Sequence, residues 1–481
     1  MAATTKAKEK KGALGIIPLT ALVVGSIIGG GIFNLMSDMS SSASLMAITI
    51  GWIITGLGML FLAFCFQNLT KKRPDLDAGI YSYAQAGFGK YMGFNSAWGY
   101  WISAWIGNVA YATLLFSSVA YFFKTFGDGQ NVASVIGASV MLWVVYYLVM
   151  RGVRSASIVN TIVTVAKLIP IAIFILAAFT AFKLDVFTAD IWGTASKGFE
   201  FSDVMSQVKG TMLVTVWVFI GIEGAVVFSG RAKKKSQVIT ATFMGLLTVT
   251  SIYFLVTALS LGLKARPELA ELGQPAMAEL LKYVVGSWGA GLVNLGLIVS
   301  VAGAWLAWTL YAAELPYQAA KTKTFPSYFA KLNDKGTPVV SLLVTTVLIQ
   351  AFLLLFLTDI QAYDYMYSLA TSAILLPYAF TGFYQLKHSW QESKGTPARA
   401  WNIFVGAVAS IYAIWLVYAA GMHYLLLTVL LYAPAVVIYI LMQIKNREKV
   451  FTLPETGAAA ILVALFLFCI ARIASGDLSV L

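Results

Sequence analysis

Two ionisable side chains stand inside long apolar stretches of this sequence. Glu223 lies in the run 219–224 and Lys167 in the run 164–170. A charged group at the middle of a bilayer is disfavoured by about 2.5–3.5 kcal/mol, so such a residue usually faces the interior of a helix bundle and serves a function. The alternative roles are structural: Glu223 as a protonated carboxyl that caps freed backbone groups, and Lys167 as an ammonium bonded to carbonyl groups freed in the first apolar stretch.

Glycines interrupt two of the apolar stretches. The first contains four glycines within residues 25–31, and the sixth has Gly221 and Gly224 on either side of Glu223. Each glycine weakens a helix by about 1 kcal/mol, and unwound backbone inside a bilayer is tolerated only where it lines a cavity or is buried in protein. Interruptions at corresponding places of two repeats indicate a transporter binding site near the bilayer midplane. The alternative is that the glycines only allow close helix packing.

The freed backbone groups predict the chemistry of a ligand. Freed N–H groups of a half-helix suit a carboxylate, and freed carbonyl groups suit an ammonium. A ligand with both groups on one carbon is an α-amino acid. Aromatic rings beside an amide suit a delocalised cation such as guanidinium, although each ring alone is more typical of core packing. The side chains in question are Trp217, Tyr100, Trp105, Asn108 and Trp308.

The composition indicates a membrane protein. Of the 481 residues, 59% are hydrophobic and only 11% are charged, which is less than half the charged fraction of ordinary globular domains. The apolar stretches reach the length of roughly 18 residues that spans a bilayer. About thirteen transmembrane helices are predicted, at 14–36, 44–68, 92–123, 131–150, 157–181, 207–229, 236–262, 287–320, 338–358, 362–386, 401–420, 424–444 and 458–474. The fold class is therefore an all-α polytopic membrane protein.

The charge distribution predicts the orientation. The chain has 33 basic and 21 acidic residues, a net charge of +12. With the N-terminus in the cytoplasm, about three quarters of the basic residues fall in cytoplasmic segments, as basic residues resist translocation. The basic excess is thus explained by topology, and no nucleic-acid partner is expected. Two cysteines and two histidines are too few for a metal cluster.

The predicted spans leave no room for a soluble domain. The longest outer connections are 182–206 and 263–286, so ATP-driven transport within this chain is not expected. The spans show no nucleophile–base pair and no phosphate loop, which disfavours a membrane enzyme. The predicted organisation is a cytoplasmic N-terminus (1–13), a first repeat of spans one to five (14–181), a second repeat of spans six to ten (207–386) and three additional spans (401–474).

Four segments carry a resemblance to a known family. The sequence resembles the amino acid–polyamine–organocation superfamily over nearly its whole length, and most closely the basic amino acid antiporters of the bacterial arginine/ornithine and arginine/agmatine type. The segments are 25–33 in span one, 97–108 in span three, 215–224 in span six and, less specifically, 183–193 in the outer loop. The resemblance implies a five-plus-five inverted-repeat fold with broken helices one and six. A thirteenth span is a departure, because many relatives have twelve, and it leaves the side of the C-terminus open.

The resemblance also implies roles for individual residues. The amides around Ser26, Ile27, Gly29 and Gly30 would bind the substrate carboxylate, and carbonyls from Trp217 to Ile220 the α-ammonium. Trp308 would stack on the substrate side chain, with Asn108, Ser103 and Ala104 shaping the distal end of the pocket. Trp217, Tyr100 and Tyr378 match gating aromatics, and Glu223 matches a carboxylate that couples binding to conformational change. Lys167 matches a lysine at the place of a sodium ion in sodium-coupled relatives, so sodium dependence is not expected.

The resemblance implies exchange of an external basic amino acid, arginine, for an internal relative, ornithine, by alternating access across the cell membrane. The sequence discriminates poorly between this pair and histidine/histamine, lysine/cadaverine or arginine/agmatine exchange. A proton-coupled uptake permease, with Glu223 or Lys167 as the proton site, is a further alternative. No cofactor is expected, and the sequence does not predict the oligomeric state.

Overall fold

The computed structural model describes residues 16–76, 80–152, 156–223, 235–357, 362–395 and 397–478. Within these ranges the chain forms α-helices, a few short 3-10 turns and no strand. The first nine helices are α1 (Ile16–Ile27), α2 (Leu35–Ser42), α3 (Leu45–Lys72), α4 (Ile80–Phe88), α5 (Lys90–Phe122), α6 (Val132–Met150), α7 (Ala156–Thr180), α8 (Leu184–Thr188) and α9 (Phe201–Phe219). The others described are α10 (Lys235–Leu261), α11 (Arg266–Ala270), α12 (Ala276–Val285), α13 (Ser287–Lys321), α14 (Val339–Leu354), α15 (Ala362–Gln391), α16 (Arg399–Lys445) and α17 (Leu453–Ala474).

The helices follow the predicted spans closely, and seven of those described are long and apolar enough to cross a membrane. The seven are α3, α5, α6, α10, α13, α16 and α17. The count of thirteen spans stays a prediction. The two longest connections that were predicted to be outer contain short helices: α8 lies in 182–206, and α11 and α12 lie in 263–286.

Predicted spans eleven and twelve correspond to the two helical parts of α16, which meet at Gly421. Gly421 interrupts its helical geometry with φ 78° and ψ 157°, which marks a kink between two helical parts. Apolar residues continue without a polar connection on both sides of Gly421.

The first span is broken at the predicted glycines. Helix α1 ends at Ile27, a 3-10 turn covers Gly31–Phe33, and α2 begins at Leu35. Span six is interrupted in a similar way, because α9 ends at Phe219 and Ile220 has an extended ψ of 129°. Gly221 follows with φ 108°, and the chain is described as far as Glu223. The rest of the predicted span 207–229, including Gly224, lies outside the described residues.

Helix α5 is the most enclosed of the seven membrane-crossing helices, and α17 is the most peripheral. In its most apolar window α5 has 94% of the residues buried, whereas α17 has 11%. The polar residues of α5 explain this, because side chains such as Asn95, Ser103 and Asn108 need partners inside the helix bundle, whereas the more apolar α17 needs none. Helix α5 is thus enclosed by the other helices, and α17 has most of its surface outside the protein core.

One carboxylate joins the peripheral helix to the central one. Glu455, in the first turn of α17, accepts hydrogen bonds from the backbone N–H and hydroxyl of Thr452 at 2.8 and 2.9 Å. Its other oxygen accepts the backbone N–H of Tyr91, in the first turn of α5, at 2.9 Å. The first N–H groups of a helix have no partner within the helix. Glu455 therefore caps two helices at once.

We expect Glu455→Ala to lower the stability of the folded protein by about 1–3 kcal/mol, because it removes an N-terminal cap and leaves a buried N–H without a partner. The measurement is the thermal unfolding midpoint of the purified protein in detergent. Glu448→Ala is the matched control, since it removes a carboxylate that pairs with Lys90 at a more exposed position. Equal midpoints for the two variants would contradict the capping role.

Candidate functional site

Lys167 lies at the break in span one. Its Nζ atom, on α7, donates to the carbonyl oxygens of Gly25, at 2.6 Å, and of Ile28. Helix α1 ends at Ile27, so carbonyls in its last turn lack the amide partners that a continuing helix would supply. Lys167 is 4% exposed, and its ammonium carries three donors for such acceptors. These are the contacts that the structural interpretation of Lys167 describes, and they place its amino group at the break.

Tyr253, on α10, joins the two interrupted spans. Its hydroxyl oxygen lies 2.8 Å from the carbonyl oxygen of Val218 and 3.3 Å from that of Ile27. Tyr253 is fully buried and packs its ring against Phe219 and Trp52. The single hydroxyl proton serves one carbonyl at a time, so Tyr253 can exchange between the two breaks. The sequence analysis missed this residue, because nothing in the pattern of α10 separates it from ordinary core aromatics.

Glu223 brings together three of the predicted gating and coupling residues. Tyr100 donates its hydroxyl to Oε1 at 2.6 Å, and Tyr378 donates to Oε2 at 3.0 Å. All three side chains are buried. They come from α5, from the turn after α9 and from α15, so one carboxylate connects three elements. Each oxygen of the carboxyl group thus has one tyrosine hydroxyl as its partner.

Trp217 lies against the second part of span one. Its ring is 6.0 Å from the ring of Tyr367, in a stacked arrangement, and 5.7 Å from that of Tyr111. Its indole N–H donates to the hydroxyl of Tyr363 at 3.4 Å. A Cβ atom added to Gly31 would lie 2.9 Å from the indole nitrogen. Only glycine at this position lets Trp217 approach the backbone so closely.

The other glycines of the break also allow close packing. An added Cβ would lie 3.1 Å from the Tyr111 hydroxyl at Gly29, and 3.0 Å from Leu114 and from Val301 at Gly30. Helices α5 and α13 therefore approach the broken backbone directly. Close helix packing and ligand binding are compatible roles for these glycines, because a narrow binding site needs both freed backbone groups and closely packed walls.

The backbone groups predicted to bind the two ends of an amino acid lie at the two interruptions. Ser26 and Ile27 are the last residues of α1, and the side chain of Ser26 lies outside the described residues. At the other interruption, the N–H of Ile220 donates to the carbonyls of Val216 at 3.1 Å and of Trp217 at 3.3 Å. A carbonyl oxygen has two lone pairs. An ammonium at this place would therefore bond to carbonyl oxygens that also accept the N–H of Ile220.

Asn108, Ser103 and Ala104 line one face of α5 and are buried. The amide nitrogen of Asn108 lies 3.4 Å from the hydroxyl of Thr309 on α13. The amide oxygen of Asn108 is buried and has no hydrogen-bond partner among the described residues. Unpaired buried acceptors are rare in folded proteins. Asn108 therefore presents a free acceptor where a ligand donor is expected.

Trp308, the neighbour of Thr309, is half-buried. Its ring lies 5.7 Å from that of Tyr311, which lies 6.5 Å from that of Tyr100. Tyr311 thus connects Trp308 with the tyrosines around Glu223. The sequence analysis missed Tyr311, although it follows Trp308 by one helical turn and faces the same side of α13.

The predicted site residues therefore fall into two groups of contacts. One group surrounds the break in span one, where Lys167 bonds the carbonyl oxygen of Gly25 and Trp217 packs against Gly31. The other surrounds Glu223, with Tyr100 and Tyr378 bonded to it. Helix α5 belongs to both groups, because it carries Tyr100, Asn108 and Tyr111.

Comparison with known proteins identifies the family. The sequence model of the amino acid permease family matches residues 14–439. The chain belongs to the amino acid permease family. A protein of Pseudomonas aeruginosa named arginine/ornithine antiporter is 48% identical over 455 residues, which cover 92% of this chain and 94% of that protein. A Latilactobacillus sakei protein of the same name is 43% identical over 426 residues, 89% of each chain. An Escherichia coli protein named putative arginine/ornithine antiporter is 45% identical over 437 residues, 90% of this chain and 92% of its own.

Membership of this permease family makes the protein a multi-pass membrane transporter and not an enzyme. The resemblance identified from the span motifs is confirmed at the level of the family. The family match, at residues 14–439, covers both interrupted spans and the aromatic residues of α5 and α13.

Proposed function

We propose that this permease exchanges external arginine for internal ornithine by alternating access. The observation that carries the proposal is identity of 43–48%, over about nine tenths of the chain, to proteins named arginine/ornithine antiporter. The two interrupted helices support it, since they offer backbone groups for an α-amino acid near the middle of the bundle.

The proposed substrate position uses both groups of contacts. Amides around Ser26, Ile27, Gly29 and Gly30 bind the carboxylate, and carbonyls between Trp217 and Ile220 bind the α-ammonium. The guanidinium or alkylammonium end stacks on Trp308 and donates to the free oxygen of Asn108, beside Ser103 and Ala104. Trp217, Tyr100 and Tyr378 are the proposed gates, Glu223 couples binding to the change of state, and Lys167 supplies a fixed charge where related carriers hold sodium.

The proposed topology has a cytoplasmic N-terminus, 1–13, and two inverted repeats, 14–181 and 207–386, followed by spans at 401–474. Interruptions in the first span of each repeat support it, because they occupy equivalent places if the repeats are inverted. Thirteen spans in the cell membrane are proposed, with α16 providing two of them through its kink at Gly421.

Arginine and ornithine both carry one net positive charge at neutral pH, so their exchange moves no net charge. Exchange for a divalent amine such as agmatine would move one charge, worth about 2.3 kcal/mol per 100 mV. The concentration gradients of the two amino acids alone would drive the cycle. A membrane potential imposed with potassium and valinomycin should leave arginine/ornithine exchange unchanged, and a strong response would contradict an electroneutral exchange.

The test of the proposed function is uptake of labelled arginine into liposomes that contain the purified protein. The lumen holds ornithine, agmatine, lysine, histidine or no amino acid. The proposal predicts rapid uptake with ornithine and almost none into empty vesicles. Faster uptake with another internal ligand would identify a different pair, and equal uptake into empty vesicles would indicate a uniporter or a proton-coupled permease.

We expect Trp308→Leu to weaken arginine binding by about 0.5–2 kcal/mol, or roughly 2–30-fold, because it removes a ring for the guanidinium. The measurement is the equilibrium affinity of the purified variant. Trp308→Tyr keeps an aromatic ring, so its affinity for arginine should fall less than that of Trp308→Leu. Trp390→Leu removes an exposed tryptophan elsewhere and should bind normally. Unchanged affinity in Trp308→Leu would remove Trp308 from the substrate site.

A further inference from the structure

Two carboxylates outside the site described above interact electrostatically with each other. Asp38 is on α2 and Asp364 is in the first turn of α15. The two carboxylates repel each other, and both act electrostatically on Tyr363 and Tyr367. Like charges in a buried position are unfavourable unless a cation or a proton lies between them. The pair is therefore a place where a positive group would be stabilised.

Asp38 has an oxygen with no partner. Its Oδ1 accepts the amide of Asn34 at 2.7 Å, and Asn34 is held in turn by the backbone N–H of Ala276 at 3.1 Å. Asp38 is only 7% exposed, yet its Oδ2 is buried without a hydrogen-bond partner among the described residues, and so is Oδ1 of Asp364. A buried acceptor without a donor is costly. Two such oxygens, on two elements, are free to receive a donor.

No basic side chain of the described residues forms an ion pair with either carboxylate. Arg266, the first residue of α11, donates to the carbonyl oxygen of Ser40 at 3.0 Å and to the hydroxyl of Ser44 at 3.3 Å. Arg266 is thus occupied by other acceptors. The described residues therefore supply no positive side chain to the carboxylate pair.

Aromatic rings separate the carboxylate pair from the helix breaks. The rings of Tyr363 and Tyr367 lie 5.2 Å apart, Trp217 stacks on Tyr367 at 6.0 Å, and its N–H reaches Tyr363. Trp217 in turn packs against Gly31. A path from the carboxylate pair to the break in span one therefore passes Trp217, and the faces of these rings favour a cation.

We propose that Asp38 and Asp364 form an outer binding site that holds the guanidinium or alkylammonium group of the incoming substrate before Trp217 moves aside. The proposal rests on the proposed function and on its topology, in which α2 and the start of α15 are on the outer side. The site selects for a positive side chain before the amino-acid group reaches the broken helices. It therefore acts on entry from outside and not on entry from the cytoplasm.

The test compares the two faces of the membrane. Intact cells that lack their own arginine uptake report the outer face, and inverted membrane vesicles report the cytoplasmic face. The probes are arginine and citrulline, which have the same shape but differ in side-chain charge. We expect Asp38→Asn and Asp364→Asn each to raise the outer KM for arginine by about tenfold or more, with citrulline and the inner KM unchanged within about twofold.

Glu271→Gln is the matched control, because Glu271 is an exposed carboxylate of the neighbouring outer connection. It should leave the outer KM unchanged, which separates a local site from a general surface potential. If one asparagine variant does not fold, the other carries the test, since each carboxylate supplies its own free oxygen. Unchanged outer KM values, or equal changes on the two faces, would overturn the outer site. A wild-type protein that does not transport arginine would instead show that the proposed function fails, and the outer site with it.

Discussion

Replacing Lys167 by methionine is expected to abolish exchange, with turnover at least about a hundredfold slower, and to lower the stability of the folded protein by about 2–4 kcal/mol. The reason is that Nζ of Lys167 is the donor to the carbonyls of Gly25 and Ile28 at the break in span one. Each hydrogen bond to a charged group contributes about 1.5–3 kcal/mol. Methionine keeps most of the volume but provides no donor. The measurements are ornithine-driven arginine uptake and the unfolding midpoint in detergent.

Lys209→Met is the matched control for Lys167. Lys209 lies on α9 with its ammonium 4.6 Å from the ring centre of Tyr418, away from either interruption. The same chemical change there should leave exchange nearly normal. If Lys167→Met exchanged arginine at the wild-type rate, the break would not depend on a fixed charge, and the proposed role of Lys167 would be wrong.

Glu223→Gln is expected to slow exchange by about tenfold or more while the affinity for arginine changes by less than about threefold. The charged carboxylate strengthens two hydrogen bonds, from Tyr100 and from Tyr378, and bonds to a charged acceptor are stronger than those to a neutral one. Glutamine can accept at only one of the two positions. Because Glu223 connects α5, α9 and α15, the loss should alter the change of state more than the binding step.

Tyr100→Phe and Tyr378→Phe test the same two hydrogen bonds by removing the donors instead of the acceptor. Each removes one donor and leaves the carboxylate, so each should slow exchange less than Glu223→Gln. The measurement is turnover under saturating arginine, together with equilibrium affinity. Normal turnover in Glu223→Gln would leave Glu223 as a structural cap of the span-six interruption.

The sequence predicts the broken first span and its position well, because four glycines within residues 25–31 leave no continuous helix. It also predicts that Lys167 could bond freed carbonyls, since a buried ammonium needs acceptors. The resemblance to a family named Tyr100, Tyr378 and Glu223 as gating and coupling residues, but it did not predict that they contact each other. The spacing of residues along the chain does not predict that α5 and α15 are in contact.

Other features depend on contacts that leave no mark in the sequence. In the sequence, Tyr253 is one more aromatic residue of an apolar helix. Its hydroxyl is important only because the carbonyl oxygens of Ile27 and Val218 lie within hydrogen-bond distance. From the sequence alone, Asp38 and Glu455 are ordinary carboxylates in the first turn of a helix. One has a free buried oxygen and the other caps a distant helix, and both facts depend on how the helices pack.

The central claim is obligate exchange, and the most direct measurement follows both amino acids in the same vesicles. Liposomes with the purified protein are loaded with tritiated ornithine, and carbon-14 arginine is added outside. The account predicts that one ornithine leaves for each arginine that enters, and that ornithine stays inside when no external substrate is present. Ornithine that leaves without external arginine, or arginine that enters without ornithine leaving, would contradict it.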